Sequence, residues 1–153
     1  MLPKEVSSSL DEVDVKLLLE LAKNARTTYR SLSSIVKLTD VAVMKRIKKL
    51  ERRGVIKKYT VIVDPAALGY TKISFTGINV KPEKLFDVVR ELREKGYVKY
   101  LAITSGDHDI LAVIWARSAD ELEKVHEEIK RIDGVIAIYP MILSEKIKDE
   151  LYV

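Results

Sequence analysis

The sequence predicts an α+β protein, with a helix-turn-helix domain over residues 1–64 and a ferredoxin-like βαββαβ sandwich over residues 65–153. Three observations carry this. Two amphipathic helical stretches are joined only by Lys37-Leu38-Thr39, too short a connection for anything but a tight turn. After Gly54 the apolar period changes from helical to strand-like. Beyond residue 70, strand and helix patterns follow in the order of a split βαβ unit.

The first helix is expected after Ser9-Leu10-Asp11-Glu12, which has the spacing of a capping box, and Val13, Leu17 and Leu21 give it an apolar face. Thr27 or Thr28 caps a second helix, Tyr29 to Val36, whose Leu32, Ile35 and Val36 turn inward. Thr39 caps a third, from about Asp40 to Arg53, and Gly54 stands at its C-terminal stop. Val55 to Val63 is β-branched and aromatic, so it predicts a strand, a wing or a link, ended by Asp64-Pro65. Ala66 to Gly69 makes a linker.

In the second half, strands are expected at Lys72–Val80, Val98–Ser105, Ile110–Ala116 and Val135–Ser144. One helix runs from Pro82 to Lys95. Another opens at Ser118-Ala119-Asp120-Glu121, a second capping box, with Leu122, Val125, Ile129 and Ile132 on one face. Pro140 cannot donate to a ladder, which assigns the last strand to an edge. The apolar run Ile110 to Ala116 belongs beneath helices or at an interface, and Trp115 within it is a core or interface residue.

Charge separates the halves. Residues 1–64 hold 14 Lys and Arg against 8 Asp and Glu, and residues 65–153 hold 13 against 15. Eight of the cations fall between Lys45 and Lys58, where Glu51 is the one acid. With Val43 at the centre of the buried seam, Ile47 and Leu50 lie beside it, while Val41, Lys45, Lys48, Lys49 and Arg52 point the opposite way. Met44 is at the edge, and Arg46 on the flank either braces the helix or reaches a phosphate. A solvated helix face usually mixes both signs. A face this uniform fits a polyanion, and after a tight turn between helices it fits duplex DNA. The residues assigned to DNA are Thr39, Asp40, Val41, Met44, Lys45, Arg46, Lys48, Lys49, Arg52 and Lys57. Val41 and Met44 suit thymine methyls, Lys45 and Lys48 suit guanine, and Lys49, Arg52 and Lys57 suit phosphates.

No cysteine is present, which excludes disulfides and thiolate metal sites. No apolar run reaches membrane-spanning length and the N-terminal stretch lacks the apolar core of a signal peptide, so a cytoplasmic protein is expected. Gly106-Asp107-His108-Asp109 reads as a turn between antiparallel strands, an effector-facing loop, or a metal or acid-base site. With Thr104 and Ser105 beside it, the loop offers carboxylates to an ammonium and hydroxyls to a carboxylate. His126 reads as packing at a helix edge. Ser33 and Ser34 have no His near them in sequence, there is no Gly-rich phosphate loop, and no titratable groups converge, so neither an enzyme nor a cofactor is expected.

Leu10-Asp11-Glu12-Val13-Asp14, Arg26, Leu38-Thr39, Val43, Arg46-Ile47, Lys49-Leu50-Glu51, Gly54-Val55-Ile56, Asp64-Pro65 with Leu68-Gly69, and Gly106 to Asp109 together resemble the Lrp/AsnC (feast/famine) transcriptional regulators over nearly the whole chain. The resemblance implies a winged helix-turn-helix and an αβ sandwich that dimerises through its sheets. It also implies assembly into higher oligomers, and amino acids or related metabolites held between dimers. The residues assigned to an effector are Thr104 and Ser105, for their hydroxyls, with Gly106, Asp107, His108 and Asp109, which match the family's Gly-Asp-aromatic-Asp turn. The chain departs from that pattern at Lys37, where the family often has Gly, at Val41, often Ser, and at Pro140, near a position that is often Thr. A second class stays open alongside: an oligomer that binds DNA without sequence preference and organises the chromosome.

Overall fold

A computed structural model describes residues 10–148, which divide into two units, the first ending at Ile62 and the second running from Val63 to Lys148. The division falls slightly earlier than the boundary read from the sequence.

The first unit is three helices: α1 (Glu12–Lys23), α2 (Tyr29–Val36) and α3 (Asp40–Arg52). Asp11 caps α1, its Oδ1 accepting the Asp14 N–H at 2.8 Å. This corrects the capping box drawn from Ser9, a residue outside those described: the helix begins two residues later, where a carboxylate meets the free backbone donors. Thr28 caps α2 and Thr39 caps α3. Leu17, Leu32, Val43 and Ile47 form the core, with Val13, Leu21, Val36 and Ile56 packed around it. The turn between α2 and α3 passes through Lys37 at φ 56°, the one non-glycine residue with positive φ among those described. A side chain there costs about 1–2 kcal/mol, which is a physical reason for glycine at this position elsewhere in the family the sequence resembles.

No strand forms over Val55–Val63, against expectation. Val61 and Ile62 are 80% and 68% exposed, and among the described residues no strand pairs with the segment. Composition favours an extended backbone here, but a strand also needs a neighbour to complete its ladder.

The second unit opens with a 3-10 turn, Ala66–Leu68, and continues as β1 (Lys72–Val80), a 3-10 turn at Pro82–Lys84, α4 (Leu85–Arg93), β2 (Val98–Ile103), β3 (Ile110–Ala116), α5 (Ala119–Lys130) and β4 (Val135–Ile142). The antiparallel sheet has the order β2-β3-β1-β4, so β4 with Pro140 is an edge strand as expected. Pro82 starts its helix through a 3-10 turn rather than as one continuous α-helix. Ile78, Val80, Ile110, Ala112, Ile114 and Ala116 lie under Val88, Leu92, Leu122, Val125, Ile129 and Ile132. On the opposite face, Phe75 pairs across with Val113 and Met141, Ile73 with Trp115, and Gly77 with Tyr139. The β3 run is thus buried on alternate residues, and its other half faces away from the helices.

His126 is buried on α5 and hydrogen-bonds Thr76 at 3.2 Å, which in turn bonds Ser74 at 2.9 Å. Burial first, then Lys130, holds this imidazole below its ordinary value and so neutral. It is a packing residue whose polar tip is satisfied within the core.

Candidate nucleic-acid interface and effector loop

Helix α3 is built to present one face. Its seam of Val43, Ile47 and Leu50 is buried, and Val41, opposite, is 55% exposed. Lys45, Lys48, Lys49, Arg52 and Lys57 are exposed, and Met44 is half-buried. Lys49 and Arg52 stand in the last turn of the helix, where cations also suit its dipole.

Three of the residues assigned to DNA have structural partners. Thr39 Oγ1 accepts the Ala42 N–H at 3.2 Å and caps the helix. Asp40 Oδ1 accepts the Ser33 hydroxyl at 2.6 Å, which ties the start of α3 to α2. Arg46 Nη1 donates to Asp11 Oδ2 at 2.6 Å and to Asp14 Oδ1 at 2.7 Å, both on the far side of the domain in sequence. The guanidinium pKa is raised by Asp14 and then Asp11, while the Asp11 carboxyl is lowered by the Asp14 N–H and then by Arg46. Whatever the Asp11 contact contributes is therefore present above the ordinary carboxylate pKa and lost as pH falls through the lower folded one. Glu51, the lone acid of the basic run, is likewise held: it accepts the Tyr59 hydroxyl at 2.7 Å. Burial and Glu51 push the Tyr59 phenol up to about 12. Sequence reasoning missed Ser33, Asp14 and Tyr59 as partners of this helix. Ser33 and Tyr59, 7 and 8 residues from Asp40 and Glu51, lay close enough in sequence to have been found, and Asp14, 32 residues from Arg46, did not.

The loop between β2 and β3 is tightly tied at its ends. Thr104 donates its N–H to Asp109 O and its hydroxyl to His108 O, at 2.9 and 2.7 Å. Asp109 Oδ2 accepts the Val80 N–H at 2.9 Å. His108 Nδ1 bonds Asn79 Oδ1 at 3.1 Å, and its ring stacks on Tyr139 with centroids 4.7 Å apart. That ring lies over Gly77, where an added Cβ would run into it. Gly106 turns the loop at φ 117°, a conformation that side chains resist. Ser105 and Asp107 are exposed at the tip. Of the six loop residues, then, Thr104, His108 and Asp109 hold the turn together, and Ser105, Gly106 and Asp107 are offered outward. No group of three His, Asp or Glu able to hold a metal occurs among the described residues.

A basic recognition-type helix in a three-helix unit, followed by a βαββαβ sandwich with a polar loop, defines a DNA-binding regulator with a separate ligand-binding domain. A winged helix-turn-helix DNA-binding model matches residues 10–57, and the Lrp/AsnC ligand-binding domain model matches residues 73–153. The chain is 41% identical to the HTH-type transcriptional regulator LrpA of Pyrococcus horikoshii, covering 91% of this chain and 99% of that one. It is 35% identical to the regulator FL11 of Pyrococcus abyssi, over 92% of this chain and 93% of that one. The solved structure of AsnC from E. coli superposes with a TM-score of 0.84 at 26% identity, over 92% and 95% of the two chains. The chain belongs to the Lrp/AsnC family of transcriptional regulators. It is a DNA-binding regulator and not an enzyme.

Proposed function

We propose that this regulator reads a specific DNA sequence and responds to an amino acid or a related small metabolite, acting in the cytoplasm as a homodimer or larger assembly. The single observation that carries the DNA half is α3, whose apolar seam is buried while Lys45, Lys48, Lys49 and Arg52 are exposed with Val41. Val41, Met44 and Lys45, early on that face, read bases, and Lys49, Arg52 and Lys57 meet phosphates. Supporting assembly, the sheet face opposite the helices carries Tyr139 and Met141, 48% and 53% exposed, in register with Gly77 and Phe75. Supporting an effector, the loop tip presents Ser105 and Asp107 on a frame held by Thr104, His108 and Asp109. No helix among the described residues is long and apolar enough to cross a membrane.

Selection of bound fragments from random DNA tests the first part. A specific regulator discriminates by about a thousandfold or more, and replacing Val41, Met44 or Lys45 should change preference at particular bases by roughly 1–3 kcal/mol per lost contact. Selection that returns no motif favours the chromosome-organising class instead.

For the effector, the expectation is that one or a few amino acids alter the melting temperature or the oligomer distribution. Asp107→Ala should blunt that response while leaving the fold intact, because its side chain is exposed and the loop is framed by other residues. A ligand shifts assembly only by its preference for one state over another. A thermal-shift and light-scattering screen across the amino acids decides it: a parental response in the Asp107→Ala variant would reduce this loop to a turn.

A further inference from the structure

Arg46 lies on the recognition helix, inside the basic run, yet its guanidinium is tied to the first helix while its side chain stays 33% exposed. One nitrogen, Nη1, bridges two carboxylates: Asp11 Oδ2 at 2.6 Å and Asp14 Oδ1 at 2.7 Å. The Asp14 side chain is 9% exposed, so this half of the contact is largely withdrawn from water. Asp11 serves twice, since its Oδ1 caps α1 through the Asp14 N–H while its Oδ2 takes the arginine. A second fastening lies near the start of α3, where Ser33 of α2 donates to Asp40 Oδ1 at 2.6 Å. Packing of the apolar seam sets the crossing angle of α3 only to within about 15–20°. Directional, charge-assisted bonds narrow that range.

We propose that Arg46 is a positioning residue for DNA recognition, acting through Asp11 and Asp14 to set the angle at which α3 presents Val41, Met44, Lys45 and Lys48, and that it neutralises no phosphate. The inference rests on the DNA-binding reading of α3 and adds a division of labour within its cations. Lys49 and Arg52 spend their charge on the nucleic acid. Arg46 spends its charge inside the protein.

The two roles make opposite predictions for the acids. Removing a carboxylate from a protein that binds a polyanion ordinarily strengthens binding. If Arg46 works through the clasp, Asp11→Asn must weaken binding instead, and asparagine keeps the helix cap because it caps as well as aspartate. The experiment measures duplex binding by the full chain at several salt concentrations, using the parent, Arg46→Met, Asp11→Asn and the double variant, with a DNA selected by the parent. Melting curves run alongside confirm that each variant is folded at the assay temperature.

The expected result is a loss of about tenfold for Arg46→Met, the scale of one charge-assisted contact. Its salt slope should match the parent's, Asp11→Asn should lose affinity in the same direction, and the double variant should be no weaker than Arg46→Met alone. Preference should relax at several bases at once, since a tilted helix displaces every contact. Three outcomes overturn the proposal: a slope shallower by about 0.9 per phosphate in Arg46→Met, tighter binding by Asp11→Asn, or parental affinity in Arg46→Met. Should Arg46→Met fail to fold, Asp11→Asn alone still decides by the sign of its effect. A parent with no salt-dependent DNA affinity would instead sink the DNA-binding reading itself.

Discussion

Truncating Ile47 to Ala will remove DNA binding while the second unit stays folded. Ile47 is 1% exposed and packs with Leu17, Leu32 and Val43, a core of few large side chains. Deleting so much buried side chain costs about 2–5 kcal/mol, from lost transfer energy and the cavity left behind. A domain this small buries a modest fraction of its surface, and 5–15 kcal/mol is the whole stability of an ordinary domain. The loss therefore takes a large share of what holds the three helices together. The second unit has its own core, centred on Ile78, Ile110, Ile114 and Ile129, and none of those residues is touched. Calorimetry should show an early transition moved sharply downward or lost, with a later transition unchanged. Val41→Ala is the matched control on the same helix. Val41 is 55% exposed, so its loss should leave melting nearly as it was and alter only base preference. If Ile47→Ala binds DNA like the parent, the seam assigned to α3 is wrong.

Much of this architecture is legible in the residues, and the pattern of success has a physical cause. Helix α2 and strands β1 and β3 have the bounds that apolar period and turn residues predict. Those signals are local: a threonine cap, a glycine stop, alternation along a strand. The burial of Val43, Ile47 and Leu50 follows from angle alone. What angle cannot supply is the identity of a partner. Arg46 sits on the flank of the helical wheel, where a phosphate and a carboxylate are equally compatible, and its partners lie 35 and 32 residues away. The same holds for Asp109, whose partner, the Val80 N–H, belongs to another strand. Val55 to Val63 fails for a related reason. Its composition suits a strand, but pairing is a property of two segments, and no strand among the described residues pairs with it. Candidate DNA contacts and loop ligands chosen by residue type therefore include groups that the fold has already used, Thr39, Asp40, Arg46, Thr104 and Asp109 among them.

Affinity for duplex DNA should collapse with salt, and the slope should identify which cations do the binding. Lys49, Arg52 and Lys57 are exposed and grouped at the end of α3 and just beyond it. Each phosphate neutralised releases condensed counterions, so the log–log slope is about −0.9 per phosphate on duplex DNA. Two protomers placing these three cations on the backbone would neutralise roughly six phosphates, and a protein making that many contacts loses about a thousandfold in affinity between 50 and 200 mM salt. Lys49→Ala removes one such contact from each protomer, so the slope of a dimer should become shallower by about 1.8. Because phosphates carry no sequence information, the weakening should be nearly uniform across DNA sequences. Lys49 is exposed and outside the apolar seam, so the variant should melt like the parent. Titrations by anisotropy over a range of salt, on a selected and a scrambled duplex, give both numbers. A slope unaltered by Lys49→Ala would remove this lysine from the phosphate set, and a salt-independent affinity would mean that the basic face of α3 is not the surface that meets DNA.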